Sequence, residues 1–140
     1  MQPLIETTAA PDPKDRETIL GLLMAHAHAA AGPSKLTPLA ILLRDPQSGA
    51  VLGGLWGRSI YDWLIIELLA VPESLRGQGL GTKLMAEAEA VARARDCIGI
   101  WLDTYEFQAK GFYEKLGYAQ FGEIADHPRG QRRYLVQKRL

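Results

Sequence analysis

At 140 residues, 47% hydrophobic and 23% charged, the chain has the length of one globular domain and an ordinary water-compatible composition. Sixteen basic side chains balance sixteen acidic ones, so no overall positive field recruits nucleic acid. Cys97 is the only cysteine, which excludes an internal disulfide and a cysteine-built zinc site.

The N-terminal residues have neither the basic start nor the apolar run of a secretion signal, and no stretch reaches the roughly eighteen uncharged apolar residues of a membrane span. The expectation is a cytoplasmic protein without a membrane or nucleic-acid partner, organised as a single domain over residues 1–140. Residues 4–8 can form a first strand. Asp12 then caps a helix that has Pro13 at its first position and Ile19, Leu20, Leu23, Met24 and Ala27 on its apolar face. His26 and His28 on that helix point to different faces and make a poor metal pair. Gly32, Pro33 and Ser34 end it.

Residues 37–44 read as a strand, 45–49 as a turn and 50–58 as the hairpin partner, in which Gly53, Gly54 and Gly57 signal a bulge or a close backbone approach. Residues 61–71 read as a central strand, apolar on both faces. Glu67 interrupts it. A carboxylate between Ile65, Ile66, Leu68 and Leu69 has to be paired, protonated or functional, because burying it alone costs several kcal/mol. Period-two counting puts it on the face of Trp63 and Ile65. The structural reading is an ion pair with Arg58 or Arg44; the other is a carboxylate kept there for function.

The most informative stretch follows: Arg76, Gly77, Gln78, Gly79, Leu80, Gly81 and Thr82. Downstream, Leu84, Met85, Ala88, Val91 and Ala92 recur at helical spacing as far as Arg95, so a glycine-rich turn joins a buried strand to the N-terminus of an amphipathic helix. Glycines let the backbone approach a ligand closely, and the free N–H groups of the helix start favour an anion. The turn is not a P-loop, because Lys83 follows Thr82 instead of preceding a Ser or Thr. It is a poor dinucleotide fingerprint, because its glycines fall as Gly-x-Gly-x-Gly several residues after the strand. Cys97 next to Ile98 then reads as a small buried hydrophobe at the start of a strand that Asp103 closes. A short helix over 107–116 and two strands over 118–124 and 132–139 complete the order β-α-β-β-β-α-β-α-β-β.

Arg-x-x-Gly-x-Gly, carried by Arg76, Gly79 and Gly81, resembles the acetyl-CoA pyrophosphate loop of the GNAT N-acetyltransferase superfamily. Residues 108–118, with Ala109, Tyr113, Gly117 and Tyr118, resemble its second signature, Ala-x-x-x-Tyr-x-x-x-Gly-aromatic. The resemblance spans about residues 37–140 and implies an α/β fold with a mixed, mostly antiparallel sheet of about seven strands and helices on both faces. It also implies an N-acetyltransferase that uses acetyl-CoA. Residues 76–82 would hold the pyrophosphate, and the backbone of Leu69, Ala70 and Val71 would lie along the cofactor arm. Glu67 would serve as general base and Tyr113 as general acid to the departing thiolate. Independently of the resemblance, Glu67, Asp103 and Glu106 should converge on one cleft, and three carboxylates there favour a cation, so Asp103 and Glu106, with Trp63, are expected to face a small-molecule primary amine acceptor; a homodimer stays open.

Two departures stand out. Glu106 occupies the place of the family's asparagine, seven residues before Tyr113, and a carboxylate has no amide N–H to give to pantetheine. One helix and a short loop fill the space where the family usually carries two helices. A non-catalytic acyl-CoA sensor of the same fold is the competing reading; it would retain the glycine loop without needing Glu67.

Overall fold

Strands β1 (Thr37–Arg44), β2 (Val51–Ile60) and β3 (Trp63–Ala70) form an antiparallel meander of β-branched and leucine-rich segments. Between β2 and β3 stand only Tyr61 and Asp62, at φ 46° and 69°. A two-residue hairpin turn with both centres at positive φ matches the twist of the flanking strands. The strand expected over 61–71 therefore starts two residues later, because the continuous apolar pattern hid a turn without glycine.

The chain then passes through a 3-10 turn (Glu73–Leu75) into α2 (Leu80–Ala94) and returns as β4 (Gly99–Tyr105), parallel to β3. A short helix α3 (Lys110–Lys115) leads to the closing antiparallel pair β5 (Ala119–Ala125) and β6 (Arg132–Arg139). The sheet order is β1-β2-β3-β4-β6-β5, with β3–β4 the one parallel pair. The α/β expectation holds, with six strands where about seven were expected. The computed structural model describes residues 1–140 and divides into two units, Met1–Ser34 and Lys35–Leu140.

In the first unit, α1 (Pro13–Ala31) begins as the sequence implies: Asp12 accepts the Lys14 N–H at 2.9 Å, and Pro13 sits where a missing N–H is harmless. Residues 4–8 pair with no strand, and this accounts for the missing seventh.

In the second unit the core lies between the sheet and α2. Leu64 pairs with Ile100, Ile66 with Leu102 and Leu102 with Val136, and all five side chains are buried. Leu84, Met85, Ala88 and Ala92 of α2 meet them with a 3.6-residue period. Arg95 fastens the end of this helix to the meander by donating to the carbonyls of Thr37 (3.1 Å) and Pro38 (3.0 Å) and to the Ser59 hydroxyl (3.1 Å). With its C-terminus anchored there, α2 points its N-terminus towards the C-terminal end of β3.

Candidate active site

The parallel ladder between β3 and β4 runs only from Trp63–Gly99 to Ile66–Leu102. Beyond it β3 stays with β2 as far as Ala70, while β4 stays with β6 as far as Tyr105. The two central strands thus part company, and the backbone groups that face the gap have no ladder partner. Glu67 marks the fork. Trp56 pairs with Leu68 and Gly57 with Ile66, so Glu67 is the extra residue of a β-bulge. Gly57 permits it: a Cβ there would collide with the Ile65 carbonyl oxygen.

Glu67 keeps the face that period-two counting gives it, since its partner Arg58 stands directly opposite Ile65, but it is not buried there. Its side chain is 36% exposed and forms an ion pair with Arg58 of β2. An exposed pair of this kind contributes at most about 1 kcal/mol, so Glu67 is held loosely and remains on the wall of the cavity that opens in the fork.

That cavity has a volume of about 1040 Å³. One end is the turn into α2, where Arg76, Gly77, Gly79, Leu80, Gly81 and Thr82 line it. Gly77 and Gly79 have φ of 79° and 72°, a conformation other residues adopt only under strain, and a Cβ on either would meet nothing within 4 Å. Glycine is needed here for the backbone course, and the space over it is free. The first N–H groups of α2 have no acceptor within the helix and carry its positive dipole end. This combination fits a pyrophosphate. Arg76 braces the turn, its Nε donating to the Val71 carbonyl at 3.3 Å, and Leu69, Ala70 and Val71 continue the lining along β3.

The other end is built from side chains of β4 and the segment leading into α3. Tyr113 is buried and lines the cavity together with Asp103. Burial first, and the charge of Asp103 second, push its phenol up to about 12. Tyr113 therefore keeps its proton at neutral pH and has it to donate. Its ring meets Phe112 at 5.0 Å and Tyr118 at 6.1 Å, both edge to face. Tyr118 is tied in turn: its hydroxyl donates to Glu89 Oε1 (3.2 Å), which also accepts from Lys138 (2.7 Å). Asp103 accepts from Arg133 Nε at 2.7 Å and is partly neutralised by it.

Two expected acceptor residues do not arrive. Trp63 lies with Tyr61, Ile65 and Trp101 on a separate depression, with the Arg139 guanidinium 5.8 Å from its ring. Its neighbour Leu64 is the one that points into the core, and parity sends Trp63 to the opposite face. Glu106 does not line the cavity; its carboxylate accepts the Arg132 N–H at 2.8 Å. Gln78 is likewise absent from the lining.

Sequence reasoning passed over Thr104, Phe107, Gln108 and Phe112, which do line the cavity. Gln108 Oε1 accepts the Tyr105 N–H (3.0 Å), so its carboxamide, two residues beyond Glu106, is the one on the cavity. The signal available was the stretch between the Asp103 strand and Tyr113, read only through its family positions. Cys97 is not on the cavity, and burial raises its thiol, so little thiolate forms.

The profile of the Acetyltransferase (GNAT) family matches residues 7–118. An acetyltransferase of Agrobacterium fabrum is 37% identical over 129 residues, 92% of this chain and 93% of its own. A blasticidin-S acetyltransferase of Streptomyces morookaense is 43% identical over 95 residues, 67% of this chain and 70% of the relative. A crystal structure from Agrobacterium tumefaciens, described as an acetyltransferase, superposes with a TM-score of 0.90 at 35% identity and covers all of both chains. No helix is long and apolar enough to cross a membrane. With a forked sheet, a glycine turn shaped for pyrophosphate and these relatives, the chain belongs to the GNAT acetyltransferase family and is an N-acetyltransferase whose acetyl donor is acetyl-CoA.

Proposed function

We propose that the protein acetylates a primary amine of a small molecule by direct attack, with Glu67 as general base and Tyr113 as donor to the leaving sulfur. One observation carries this reading: Glu67 of β3 and Tyr113 of α3 line the same cavity that ends on the glycine turn. Bound there, acetyl-CoA supplies the thioester.

An alkyl ammonium with a pKa near 10.4 is well under one per cent free base at neutral pH, so a proton acceptor helps. Glu67, at the mouth of the fork and within reach of water, removes that proton. A β3 backbone N–H beyond Ile66, without a partner in β4, meets the charge that develops on the carbonyl oxygen. Tyr113 gives a hydrogen bond to the departing sulfur. A phenol near 12 holds its proton more firmly than a thiol near 8.5, so it stabilises the thiolate, and solvent completes the protonation. The nitrogen–carbon bond forms as the carbon–sulfur bond breaks; of the two protons the ammonium sheds, the first leaves to solvent through Glu67 before attack and the second, lost by nitrogen after attack, is balanced by the proton that solvent returns to the thiolate.

The relative named for acetylating blasticidin S supports a small-molecule acceptor. The cationic preference rests on less than the sequence implied, since Glu67 and Asp103 are both ion-paired and Glu106 stands elsewhere. The test is acetyl-CoA-dependent thiol release with a panel of amines, with mass spectrometry of the protein during turnover. Acetylated amine and an unmodified Cys97 are expected. Release without acceptor acetylation, or an acetyl group on Cys97, overturns the direct-attack reading.

A further inference from the structure

Two large apolar side chains on the cavity wall remain conspicuously exposed: Leu68 at 66% and Phe107 at 63%. They differ in how they are held. Phe107 stacks on Tyr105 with centroids 5.1 Å apart and planes within 8°. Tyr105 is fixed by the Arg133 guanidinium 4.9 Å from its centroid and by the edge-on ring of His127 at 5.5 Å. Arg133 in turn is bound to Asp103 and lies 3.5 Å from His127 Nδ1. Four side chains, Asp103 and Tyr105 from β4, His127 from the β5–β6 connection and Arg133 from β6, thus hold one phenyl ring in place. One face of that ring is against Tyr105, and its exposure leaves the other open.

An exposed phenylalanine on a wall normally wanders among rotamers, and stacking a ligand on it costs ordering. A ring already propped from behind avoids that cost. Its neighbours on the wall include Asp103 and Gln108, whose carboxylate and amide N–H groups offer hydrogen bonds to the rim of whatever lies on the ring. An open aromatic face with polar groups beside it suits a flat π system better than a flexible alkyl chain.

We propose that Phe107 is the specificity platform of the acceptor site and that the preferred substrate is a primary amine carrying an aromatic or heteroaromatic ring, stacked on its open face. This rests on the reading of the cavity as the place of acetyl transfer. The ring faces the acceptor and not the cofactor, because the props behind it belong to the Asp103–Arg133 end of the cavity, whereas the anion-binding end is the glycine turn.

The experiment titrates the CoA-saturated protein by calorimetry with 2-phenylethylamine and with 2-cyclohexylethylamine, which match in size and charge but differ in the π face. The expected result is a preference of about tenfold for the aryl amine. It falls to within about twofold in Phe107→Ala and in Phe107→Leu, which keeps an apolar side chain without a ring, and returns in Phe107→Trp. Phe121→Ala, which removes another exposed ring outside the cavity, keeps the preference. Equal binding of the two amines by the unaltered protein overturns the proposal, as does a preference that survives Phe107→Leu. So does a Phe107→Ala variant that loses CoA affinity while its aryl preference is intact, since the ring would then serve the cofactor. Absence of acetylation with every amine would count against the transfer reading alone, because the binding preference is read without turnover.

Discussion

The two ends of the cavity are made from different parts of the chain. The end at α2 is backbone: two glycines at positive φ and a row of helix-start N–H groups, with little that a side chain could spoil. The far end is side chains leaning on side chains, from Asp103 and Arg133 through Tyr105 to Phe107. A backbone site is dictated by local sequence, since the turn before α2 requires positive φ at two positions and glycine supplies it without strain. A side-chain site depends on which distant residues meet, and one family can refit it for a new acceptor without disturbing the donor.

The sharpest way to break this contrast is to put a side chain on the backbone end. Gly79→Asp keeps a residue type that tolerates left-handed backbone better than most, so the fold should survive. It places a carboxylate where the pyrophosphate belongs. Charge-assisted hydrogen bonds contribute about 1.5–3 kcal/mol each, and losing several of them should reduce CoA affinity by roughly a thousandfold or more by calorimetry. Gly79→Asn, similar in shape and uncharged, should lose far less. Equal losses in the two variants would mean that shape, and not charge, governs this end.

Next in size is the base. Glu67→Gln retains the bulge and the contact with Arg58 but cannot take a proton, and kcat should fall by roughly two to four decades with little change in CoA affinity. An unchanged kcat would leave Glu67 as an ion-pair partner only. Tyr113→Phe should cost less, about ten- to a hundredfold in kcat, because one hydrogen bond to a charged group is removed and not an acid.

Much of this was legible beforehand, and the failures share a cause. Strand β1 has the very bounds that its alternation implies, and Asp12 and Pro13 start α1 as capping rules require. Local rules fixed these. The bulge at Glu67 is set by pairing with β2, which no single segment encodes, so parity counting gave the face of this side chain but not its exposure. Tyr61 and Asp62 hide a turn because neither is glycine. Residues 4–8 have strand-like composition but no partner, and a strand needs one. Of the three carboxylates expected in one cleft, two reached the cavity, and both are paired with arginines, Glu67 with Arg58, one of the two partners its sequence context offered, and Asp103 with Arg133.

The buried tyrosine also offers a stability measurement. Tyr113 is raised from 10.0 to about 12 in the folded protein by burial, then by Asp103. The stabilisation this represents is complete below pH 10 and is lost as pH rises through 12, because the unfolded chain releases the proton first. Two units correspond to about 2–3 kcal/mol. Urea midpoints at pH 8 and pH 11 should therefore differ less in Tyr113→Phe than in the unaltered protein. Tyr118, raised further still by burial and by Glu89, leaves a residual alkaline loss in the variant. An unaltered pH dependence in Tyr113→Phe would mean that the phenol is not shielded at the far end of the cavity.

The smallest expected effect separates that end from its surroundings. Glu106 lies three residues beyond Asp103, yet its carboxylate accepts the Arg132 N–H, while Arg132 itself reaches Glu123 at 3.1 Å. It therefore holds the β5–β6 connection to the end of β4 and lies off the cavity. Glu106→Gln keeps an acceptor oxygen but removes its charge. A charged partner strengthens a hydrogen bond from about 1 kcal/mol to about 1.5–3, so roughly 1 kcal/mol of stability should be lost. The Michaelis constant for a cationic amine should stay within about twofold, whereas loss of a carboxylate beside a bound ammonium would raise it about tenfold or more. Read together, the urea midpoint and the Michaelis constant decide whether Glu106 belongs to the frame or to the site, and a Michaelis constant that rises tenfold at unchanged stability would move it back into the acceptor cleft.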